Sequence, residues 1–387
     1  RFINIFKIGK KMKLSINIIA AILFTINTAF ALIDTNAETA IIIDADTGYV
    51  LYEKDSNKKT FPASMTKIMT SMIVFEKLSN GSLTLDDTFL VSEKAWRERE
   101  GSSMFVEVDK EIRVEDLLRG IIVQSGNDAC IVVAENISGS EETFSILMNE
   151  MADDIGLNNT NFSNSTGMHS VKNYSTVSDI AKMSQYLINN YPEYYHLFSE
   201  TEFEWSGIKQ SNRNPMLYKD IGADGLKTGH LSVSGFGLAA SAKNNERRLI
   251  VVGNGFSSSQ KRSQGTARLL NWGFREYTNI TLFSEMSEVG NLPLSMASED
   301  MVSLTTNTDI VITVSKAKKD AIETEIVPIE NLSVPFKKGD VVAFLKVSIP
   351  KTDSQFIELV ATKDIDEAGY ISSFFSYIYS SILSLFD

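Results

Sequence analysis

The sequence is poor in the residues that bind metals or form disulfides. Its 387 residues include one cysteine, Cys130, and three histidines that are far apart along the chain. No CxxC, HExxH or paired-histidine spacing occurs, so we predict neither a metal site nor a cofactor. A single cysteine excludes an internal disulfide, so a large core has to supply the stability. We interpret Cys130 as a buried helix residue and not as a nucleophile, although its closeness to Asn127 predicts sensitivity to thiol reagents.

Basic residues are scarce outside the first 31 positions. The chain has 37 basic and 49 acidic residues, and residues 1–31 hold five of the basic ones and none of the acidic ones. Without this stretch the net charge changes from −12 to −17. A protein without a basic surplus gains little affinity for nucleic acid from counterion release. We therefore predict no nucleic-acid partner.

The N-terminal region lacks an apolar run long enough to span a bilayer. Its apolar stretch, residues 14–27, is shorter than the roughly 20 residues that a spanning helix needs. A basic start, a short apolar core and the ending Ala29-Phe30-Ala31 are typical of a secretory signal peptide. We predict that residues 1–31 are a signal peptide, with an uncleaved membrane anchor as the alternative. Met12 is a more natural start, so we interpret residues 1–11 as an upstream extension.

Composition and periodicity divide the rest of the chain into three regions. Residues 36–276 begin and end with strand patterns and carry helical patterns between them, which predicts an α/β (α+β) domain with an antiparallel sheet and a helical subdomain. Residues 277–365 alternate between apolar and polar positions, which predicts a small all-β domain that serves as a spacer or docking module. The predicted helices are 64–78, Val114–Ile122, Asp128–Ile137, Glu141–Ile155, Ser178–Asn189 and 258–272. The predicted strands of the first domain are Ala40–Asp44, Tyr49–Lys54, 226–242 and 248–253.

A serine and a lysine stand one helical turn apart at the start of the first predicted helix. Ser64 and Lys67, in "FPASMTKIMTSM", would lie on one face. The free N–H groups at a helix N-terminus stabilise an anion that forms beside the serine. The lysine can accept the serine proton if burial or a second cation lowers its pKa. The S-x-x-K pattern alone is very common, and a helix cap followed by a surface lysine is its usual origin.

Two later stretches make the chemical interpretation more specific. "VQSGNDAC" contains Ser125 and Asn127, and "DGLKTGHLSVSGFG" contains Lys227, Thr228 and Gly229. Each pattern is weak alone, but the ordered set S-x-x-K, S-x-N, K-T-G is typical of serine β-lactamases and penicillin-binding proteins. The chain resembles the low-molecular-mass penicillin-binding proteins, which are serine-type D-alanyl-D-alanine carboxypeptidases. The resemblance also includes "GSSMFVEV", "YPEYY", "QSNRN" and "LLNWGF", in the same order, and covers about residues 36–387.

The resemblance implies a role for each motif residue. Ser64 would be the nucleophile, Lys67 its base, Ser125 the proton relay to the leaving D-alanine, and Asn127 the residue that orients Lys67. The strand residues Lys227, Thr228, Gly229 and His230 would bind substrate. Lys227 would also supply a second positive charge and, with Thr228, hold the terminal carboxylate, and the backbone N–H groups of Ser64 and His230 would form the oxyanion hole.

The resemblance also implies the partners and leaves two alternatives open. The substrates would be peptidoglycan stem peptides that end in D-Ala-D-Ala, and β-lactam antibiotics would acylate the same serine. A β-lactamase on the same fold is one alternative, although no E-x-x-L-N pattern follows Asn127. A non-catalytic scaffold that binds the cell wall is the other. The sequence Gly167-Met168-His169 departs from the Gly-Leu pair that is usual in the family, which puts substrate preference in doubt.

The C-terminal residues 366–387 show a stripe of serines opposite a wide apolar face at helical spacing. The apolar face consists of Ile371, Phe374, Phe375, Ile378, Ile382 and Leu385. We predict an amphipathic helix that lies in a membrane surface, with a helix packed on the all-β domain as the alternative. Together with the signal peptide, this predicts an exported protein that is peripheral to the periplasmic face of the bacterial cytoplasmic membrane.

Overall fold

The computed structural model describes residues 33–98 and 100–368. The described residues from Thr35 onward belong to one compact unit. The helices are α1 (Lys67–Ser79), α2 (Glu93–Arg97), α3 (Val114–Ile122), α4 (Asn127–Ser138), α5 (Glu141–Ile155), α6 (Val177–Asn190), α7 (Pro192–Tyr195) and α8 (Ser259–Glu276). The strands of the first domain are β1 (Thr39–Asp44), β2 (Val50–Lys54), β3 (Thr88–Leu90), β4 (Glu111–Arg113), β5 (Glu202–Trp205), β6 (Ile208–Ser211), β7 (Ala223–Leu231), β8 (Gly235–Asn244) and β9 (Arg247–Phe256). The later strands are β10 (Tyr277–Phe283), β11 (Glu288–Pro293), β12 (Met301–Thr305), β13 (Ile310–Ser315), β14 (Glu323–Pro328), β15 (Val341–Ser348) and β16 (Gln355–Ala361).

The first domain is built on a five-stranded sheet in the order β2-β1-β9-β8-β7. All neighbouring strands in it are antiparallel. The apolar runs Ile41–Ile43 and Ile250–Val252 are buried because helices cover the sheet, with α6 and α8 both packed on β9. Continuous apolar runs of this kind are expected where both faces of a strand are covered. The domain is therefore the sheet-and-helix α/β fold that the sequence predicts.

The helical subdomain is organised around α1. Nearly every side chain of α1 is buried, which agrees with its apolar sequence Ile68–Phe75. Helices α3, α5 and α6 pack against α1, and α4 packs between α3 and α5. The start of α1 is thus fixed by neighbours on several sides, which gives rigid support to the residues of its first turn.

The all-β region has a core of its own, as predicted. Its five-stranded sheet runs β11-β12-β16-β15-β14, and β10 pairs with β13 beside it. In β15 the alternate residues Ala343, Leu345 and Val347, together with Val342, belong to a buried cluster that includes Leu304, Ile312 and Leu359. None of the three predicted motifs lies in this region.

Several details differ from the sequence prediction. The predicted strand 226–242 is a hairpin of β7 and β8, because the polar tip at 232–234 reverses the chain. The two-stranded sheets β3–β4 and β5–β6 were not predicted, since each has strands of only three or four residues. Residues 366–368 are extended and not helical, because Glu367 pairs with Ala297. The rest of the predicted amphipathic helix, residues 369–387, and the predicted signal peptide up to residue 32 lie outside the described residues. Within the described residues, no helix has both the length and the apolar character needed to cross a bilayer.

Candidate active site

The predicted serine and lysine lie where the chain enters the buried helix. Ser64 belongs to a short 3-10 helix, Ala63–Thr66, which leads directly into α1. Lys67 is the first residue of α1, and its Nζ lies 3.1 Å from Ser64 Oγ. Lys67 is only 1% exposed, so its ammonium group has almost no access to water. The sequence predicted an α-helix from residue 64, but the serine sits on the tighter turn before it.

Two neighbouring segments hold the amine of Lys67 in place. Lys67 Nζ donates to Asn127 Oδ1 at 2.7 Å and to the Thr166 carbonyl at 2.5 Å. Asn127 is itself oriented, because its Nδ2 donates to the Glu100 carbonyl at 2.8 Å. These bonds come from helix α4 and from the loop before residue 167. The amine is thereby directed at Ser64 Oγ.

A second serine–lysine pair lies beside the first. Lys227 Nζ donates to Ser125 Oγ at 2.9 Å, and the lysine is 3% exposed. Ser125 has a positive φ of 61°, in the turn that leads into α4. The structure therefore brings together all three predicted motifs, which are 60 to 100 residues apart in the chain.

Strand β7 runs close to the 3-10 helix because it contains a glycine. A Cβ atom on Gly229 would lie 2.7 Å from the Pro62 carbonyl oxygen, so no larger residue fits without a shift of the backbone. This contact places Thr228 and His230 at the same cleft as Ser64. The K-T-G motif thus needs a glycine because β7 passes close to the backbone at Pro62.

Burial lowers the pKa of both lysines. Loss of hydration is the main cause for each, because an ammonium group is poorly solvated at such a site. The charge of Arg213 lowers the pKa of Lys67 and of Lys227 further, and the charge of Lys67 acts on Lys227 in the same direction. Two buried amines that repel one another as cations do not readily hold two protons together. The cleft therefore favours a neutral lysine beside a serine.

A cleft of about 370 Å³ opens above these residues. It is lined by Ser64, Gly101, Ser102, Ser125, Arg213, Thr228, Gly229, His230 and Arg262. Both charged residues of this lining are arginines, which makes the cleft suited to an anionic ligand. Lys227 does not line the cleft. Its Nζ contacts Ser125, which does line the cleft.

Arg213 and Arg262 were not identified from the sequence. Arg262 is 9% exposed, its Nη1 is 3.5 Å from the Gly237 carbonyl, and its Nε has no hydrogen-bond partner among the described residues. Burial lowers its pKa to about 10. Arg213 Nη1 donates to Ser102 Oγ. The motif "QSNRN" gave a signal for Arg213, whereas nothing in the sequence of α8 distinguished Arg262 from other helix arginines.

The loop on the other side of the cleft is tied down by a buried carboxylate. Asp128, at 1% exposure, accepts hydrogen bonds from Ser103 Oγ and from the amides of Met104, Phe105 and Val106, at 2.6 to 3.1 Å. Multiple N–H donors of this kind stabilise a carboxylate away from water. Asp128 thus fixes the loop that follows Ser102 to α4, and the neighbouring Asn127 amide donates to the Ser102 carbonyl at 2.7 Å.

Cys130 is fully buried in α4, as predicted. Burial raises the pKa of its thiol to about 12, so the thiolate is scarce at neutral pH. His230 is exposed, and its ring stacks on Phe236 at 4.0 Å between centroids. In the described part of the chain no three His, Cys, Asp or Glu side chains are grouped as metal ligands would be.

Comparison with known proteins gives a family for both regions of the chain. A family model described as D-alanyl-D-alanine carboxypeptidase matches residues 25–256, and one described as the C-terminal domain of penicillin-binding protein 5 matches residues 277–367. The D-alanyl-D-alanine carboxypeptidase DacA of Haemophilus influenzae is 33% identical over 356 residues, which is 91% of each chain.

Solved structures agree with this assignment. Penicillin-binding protein 5 from Haemophilus influenzae superposes with a TM-score of 0.82 at 32% identity, over 87% of this chain and 99% of that one. A penicillin-binding protein from Listeria monocytogenes in its ampicillin-bound form has a TM-score of 0.57 at 26% identity, over 62% of this chain and 98% of that one. The overall fold of the described residues is therefore that of these proteins.

Proposed function

The chain belongs to the D-alanyl-D-alanine carboxypeptidase family, and on that premise we propose that it removes the terminal D-alanine from peptidoglycan stem peptides through an ester on Ser64. The observation that carries this proposal is the buried Lys67 amine at 3.1 Å from Ser64 Oγ. A buried amine with a lowered pKa is a competent general base, and no histidine of the described residues is hydrogen-bonded to the serine.

Acylation follows from the arrangement of Ser64 and Lys67. The neutral amine accepts the hydroxyl proton while Ser64 Oγ attacks the carbonyl carbon of the penultimate D-alanine. The oxyanion that forms lies by the backbone amides of Ser64 and His230, which are the proposed donors. Each donor of this type contributes roughly 3–4 kcal/mol to the stability of the tetrahedral intermediate. Asn127 keeps the amine aimed at the serine throughout.

The terminal carboxylate of the substrate is held by Thr228 and Arg262. Thr228 lines the cleft beside Ser64, and the Arg262 guanidinium has one long hydrogen bond to the protein and an Nε with no partner among the described residues. A buried guanidinium gains most from an anionic ligand when, as for Arg262 within the described residues, it has no ion pair with a carboxylate. We propose that Arg262 supplies a charge for the carboxylate in addition to Lys227, which contacts the cleft residue Ser125.

Release of D-alanine and hydrolysis use the second pair. Ser125 Oγ faces the cleft and accepts a hydrogen bond from Lys227. A proton can pass from Lys67 through Ser125 to the departing amine of D-alanine, which completes the C–N bond cleavage. Water then attacks the ester carbonyl and gives a proton to the Lys67 amine, which is neutral again. Lys67 passes this proton to Ser64 Oγ as the bond between the acyl group and the serine oxygen breaks.

β-Lactam antibiotics are proposed to acylate Ser64 in place of the peptide. A structurally similar protein from Listeria monocytogenes has been solved in an ampicillin-bound form. The β-lactamase alternative requires rapid hydrolysis of that ester. No carboxylate lines the described cleft, and the loop residues 164–169 next to Lys67 include no Asp or Glu to activate water. The absence of such a group supports slow hydrolysis of the ester that penicillin forms on Ser64.

One experiment separates the three functions. The protein is labelled with a fluorescent penicillin, and both D-alanine release from a D-Ala-D-Ala peptide and the lifetime of the label are measured. A lasting label with D-alanine release supports the carboxypeptidase, rapid loss of label supports a β-lactamase, and no label supports a scaffold. Ser64→Ala should abolish both signals and Lys67→Ala should prevent acylation, because the ester loses its oxygen or its base. Labelling that survives in Ser64→Ala would refute the assignment.

We also propose the location predicted from the sequence. The signal-peptide pattern at 1–31 supports export, and the apolar face of residues 369–387 supports peripheral attachment to the outer face of the cytoplasmic membrane. The proposed domain limits are residues 36–276 for the enzyme, 277–365 for the all-β domain and 366–387 for the attachment segment.

A further inference from the structure

A mostly apolar groove lies at the point where the described chain ends. It is formed by Pro293, Leu294 and Met296 on one side and by Pro328, Leu332 and Val334 on the other, and we call it the exit groove. Its volume is about 620 Å³, which is within the range of sites that bury a ligand of several side chains. Met296 is 75% exposed there, a large value for an apolar side chain.

The end of the chain is fixed to the wall of this groove. The Ala368 amide donates to the Met296 carbonyl at 3.0 Å, and Glu367 pairs with Ala297. The Ser298 amide donates to the Asp366 carbonyl at 2.8 Å. Glu367 and Ala368 also line the groove themselves. The segment that follows Ala368 in the sequence therefore begins at the exit groove.

The sequence that follows has the chemistry that the groove requires. Residues 369–375, "GYISSFF", are uncharged and contain Tyr370, Ile371, Phe374 and Phe375. The segment 369–387 carries a single charge, at Asp387. Among the residues that line the groove, the one charged side chain is that of Glu367. A neutral apolar segment fits such a site better than an anionic lipid headgroup, which Glu367 would repel.

We propose that the exit groove is the docking site of residues 370–375 of the same chain when the protein is away from a membrane. The apolar side chains that bind a lipid surface are then covered by the protein itself, and binding to a membrane releases them from the groove. The enzyme would exchange between a latched form in solution and an attached form, with the same residues used in both. The inference adds to the proposed membrane attachment and does not depend on the enzymatic activity.

Oxidation of methionine reports directly on the groove. Hydrogen peroxide converts an exposed methionine to its sulfoxide, at a rate that falls when the thioether is covered. Met286 is a matched control in the same domain, because it is 59% exposed, has a φ of 58° against 55° for Met296, and lies outside the groove. Both rates are read by mass spectrometry from one sample of full-length protein without lipid.

The comparison is made between the unchanged protein and two full-length variants. Phe374→Ser with Phe375→Ser removes the docking side chains, whereas Ile378→Ser with Ile382→Ser removes apolar area beyond the docking segment. We expect the first pair to raise the Met296 rate by about tenfold if docking is favoured about ten to one, and to leave Met286 unchanged. The second pair should leave both rates as they were. Neutral phosphatidylcholine vesicles should raise the Met296 rate of the unchanged protein.

Three outcomes would overturn the proposal. Equal Met296 rates in the unchanged protein and in the Phe374/Phe375 variant would show that the tail does not cover the groove. Protection that increases with protein concentration would assign the groove to a second copy, and protection that appears only with vesicles would assign it to lipid. Release of D-alanine should be the same in all forms, so loss of activity in every form would count against the proposed function and not against the latch.

Discussion

At the scale of single residues, the site depends on two amines that are kept out of water. Lys67 contacts the nucleophile and Lys227 contacts the second serine, and the hydrogen bonds of each amine are already made within the protein. Because both amines are buried, the charged form of each is disfavoured. A histidine is unnecessary for this chemistry, since burial lowers the pKa of the lysine and so favours the neutral amine that can accept a proton.

The pH dependence of acylation should report these lowered pKa values. The amine is active when neutral, so the rate of penicillin acylation should rise with pH and level off below the ordinary lysine pKa of about 10.4. Arg213 lowers the pKa of both lysines by repulsion, so Arg213→Gln should raise them and move the rising limb to higher pH. Arg213→Lys keeps the positive charge and should leave the limb in place. A profile that is unchanged in Arg213→Gln would show that this guanidinium does not act on the amines.

Arg262 should discriminate between substrates that have and lack a terminal carboxylate. A hydrogen bond to a charged group contributes about 1.5–3 kcal/mol, so Arg262→Gln should lower kcat/KM for a D-Ala-D-Ala peptide by about 10- to 150-fold. The corresponding peptide amide should change by less than about threefold, because it lacks the charge. Arg268→Gln, at an exposed position of the same helix, is the control and should alter neither substrate. Equal losses for acid and amide would refute the proposed carboxylate site.

At the scale of structural elements, the walls of the cleft approach the start of α1 at two glycines, Gly229 in β7 and Gly167 in the loop before α6. Gly167 has a φ of 82°, and a Cβ atom there would lie 1.9 Å from the Ala63 carbonyl oxygen. The preceding residue, Thr166, accepts the hydrogen bond of Lys67. The position of this loop and the direction of the lysine amine are therefore coupled.

Gly167→Ala should consequently impair both stability and acylation. Gly139, at the C-terminus of α4, has a similar φ of 78°, but no atom of the described residues lies within 4 Å of an added Cβ. Gly139→Ala therefore measures the backbone strain alone. We expect Gly139→Ala to cost about 1 kcal/mol of unfolding free energy and Gly167→Ala clearly more, with slower penicillin acylation only in the latter. Thermal unfolding and acylation rates test this. Similar losses in the two variants would mean that the Ala63 contact does not restrain the loop.

The sequence predicted the elements that have an apolar periodicity over many consecutive residues. Helices such as α3, α5 and α6 have a clear apolar period, and their observed limits agree with the predicted ones to within one residue. The motif residues were also found, because their spacing belongs to a known family. Arg262 could not be predicted, since its proximity to Ser64 arises from the packing of α8 on the sheet. The extended pairing of Glu367 with Ala297 is equally non-local, and the apolar period around it suggested a helix.

At the scale of the whole molecule, the all-β domain is joined to the enzyme domain far from the cleft. Asp44 is completely buried and accepts from Arg247 Nε at 2.8 Å and from Asn279 Nδ2 at 3.1 Å, while Thr47 and Thr313 share a hydrogen bond of 2.6 Å. These contacts lie at the end of β1, whereas the cleft lies at the edge strand β7, three strands away in the sheet. The all-β domain contributes no residue to the described lining of the cleft. We therefore expect it to act on function by positioning the enzyme domain relative to the membrane and not by changing the site.

Membrane attachment should therefore be separable from catalysis. A form that ends at Ala368 should keep its D-alanine release and stay in solution, whereas the full-length protein should float with neutral phosphatidylcholine vesicles. Residues 369–387 contain no Lys or Arg, so attraction between charges cannot hold them on the lipid. A rise from about 0.1 M to about 1 M salt shortens the screening length from about 10 Å to about 3 Å, and flotation should not change. Ile378→Ser with Ile382→Ser removes two apolar side chains that each contribute about 1.5 kcal/mol or more, so partitioning should weaken by at least about 100-fold. Release of the full-length protein by salt, or equal flotation of the form that ends at Ala368, would mean that another surface holds the enzyme on the membrane.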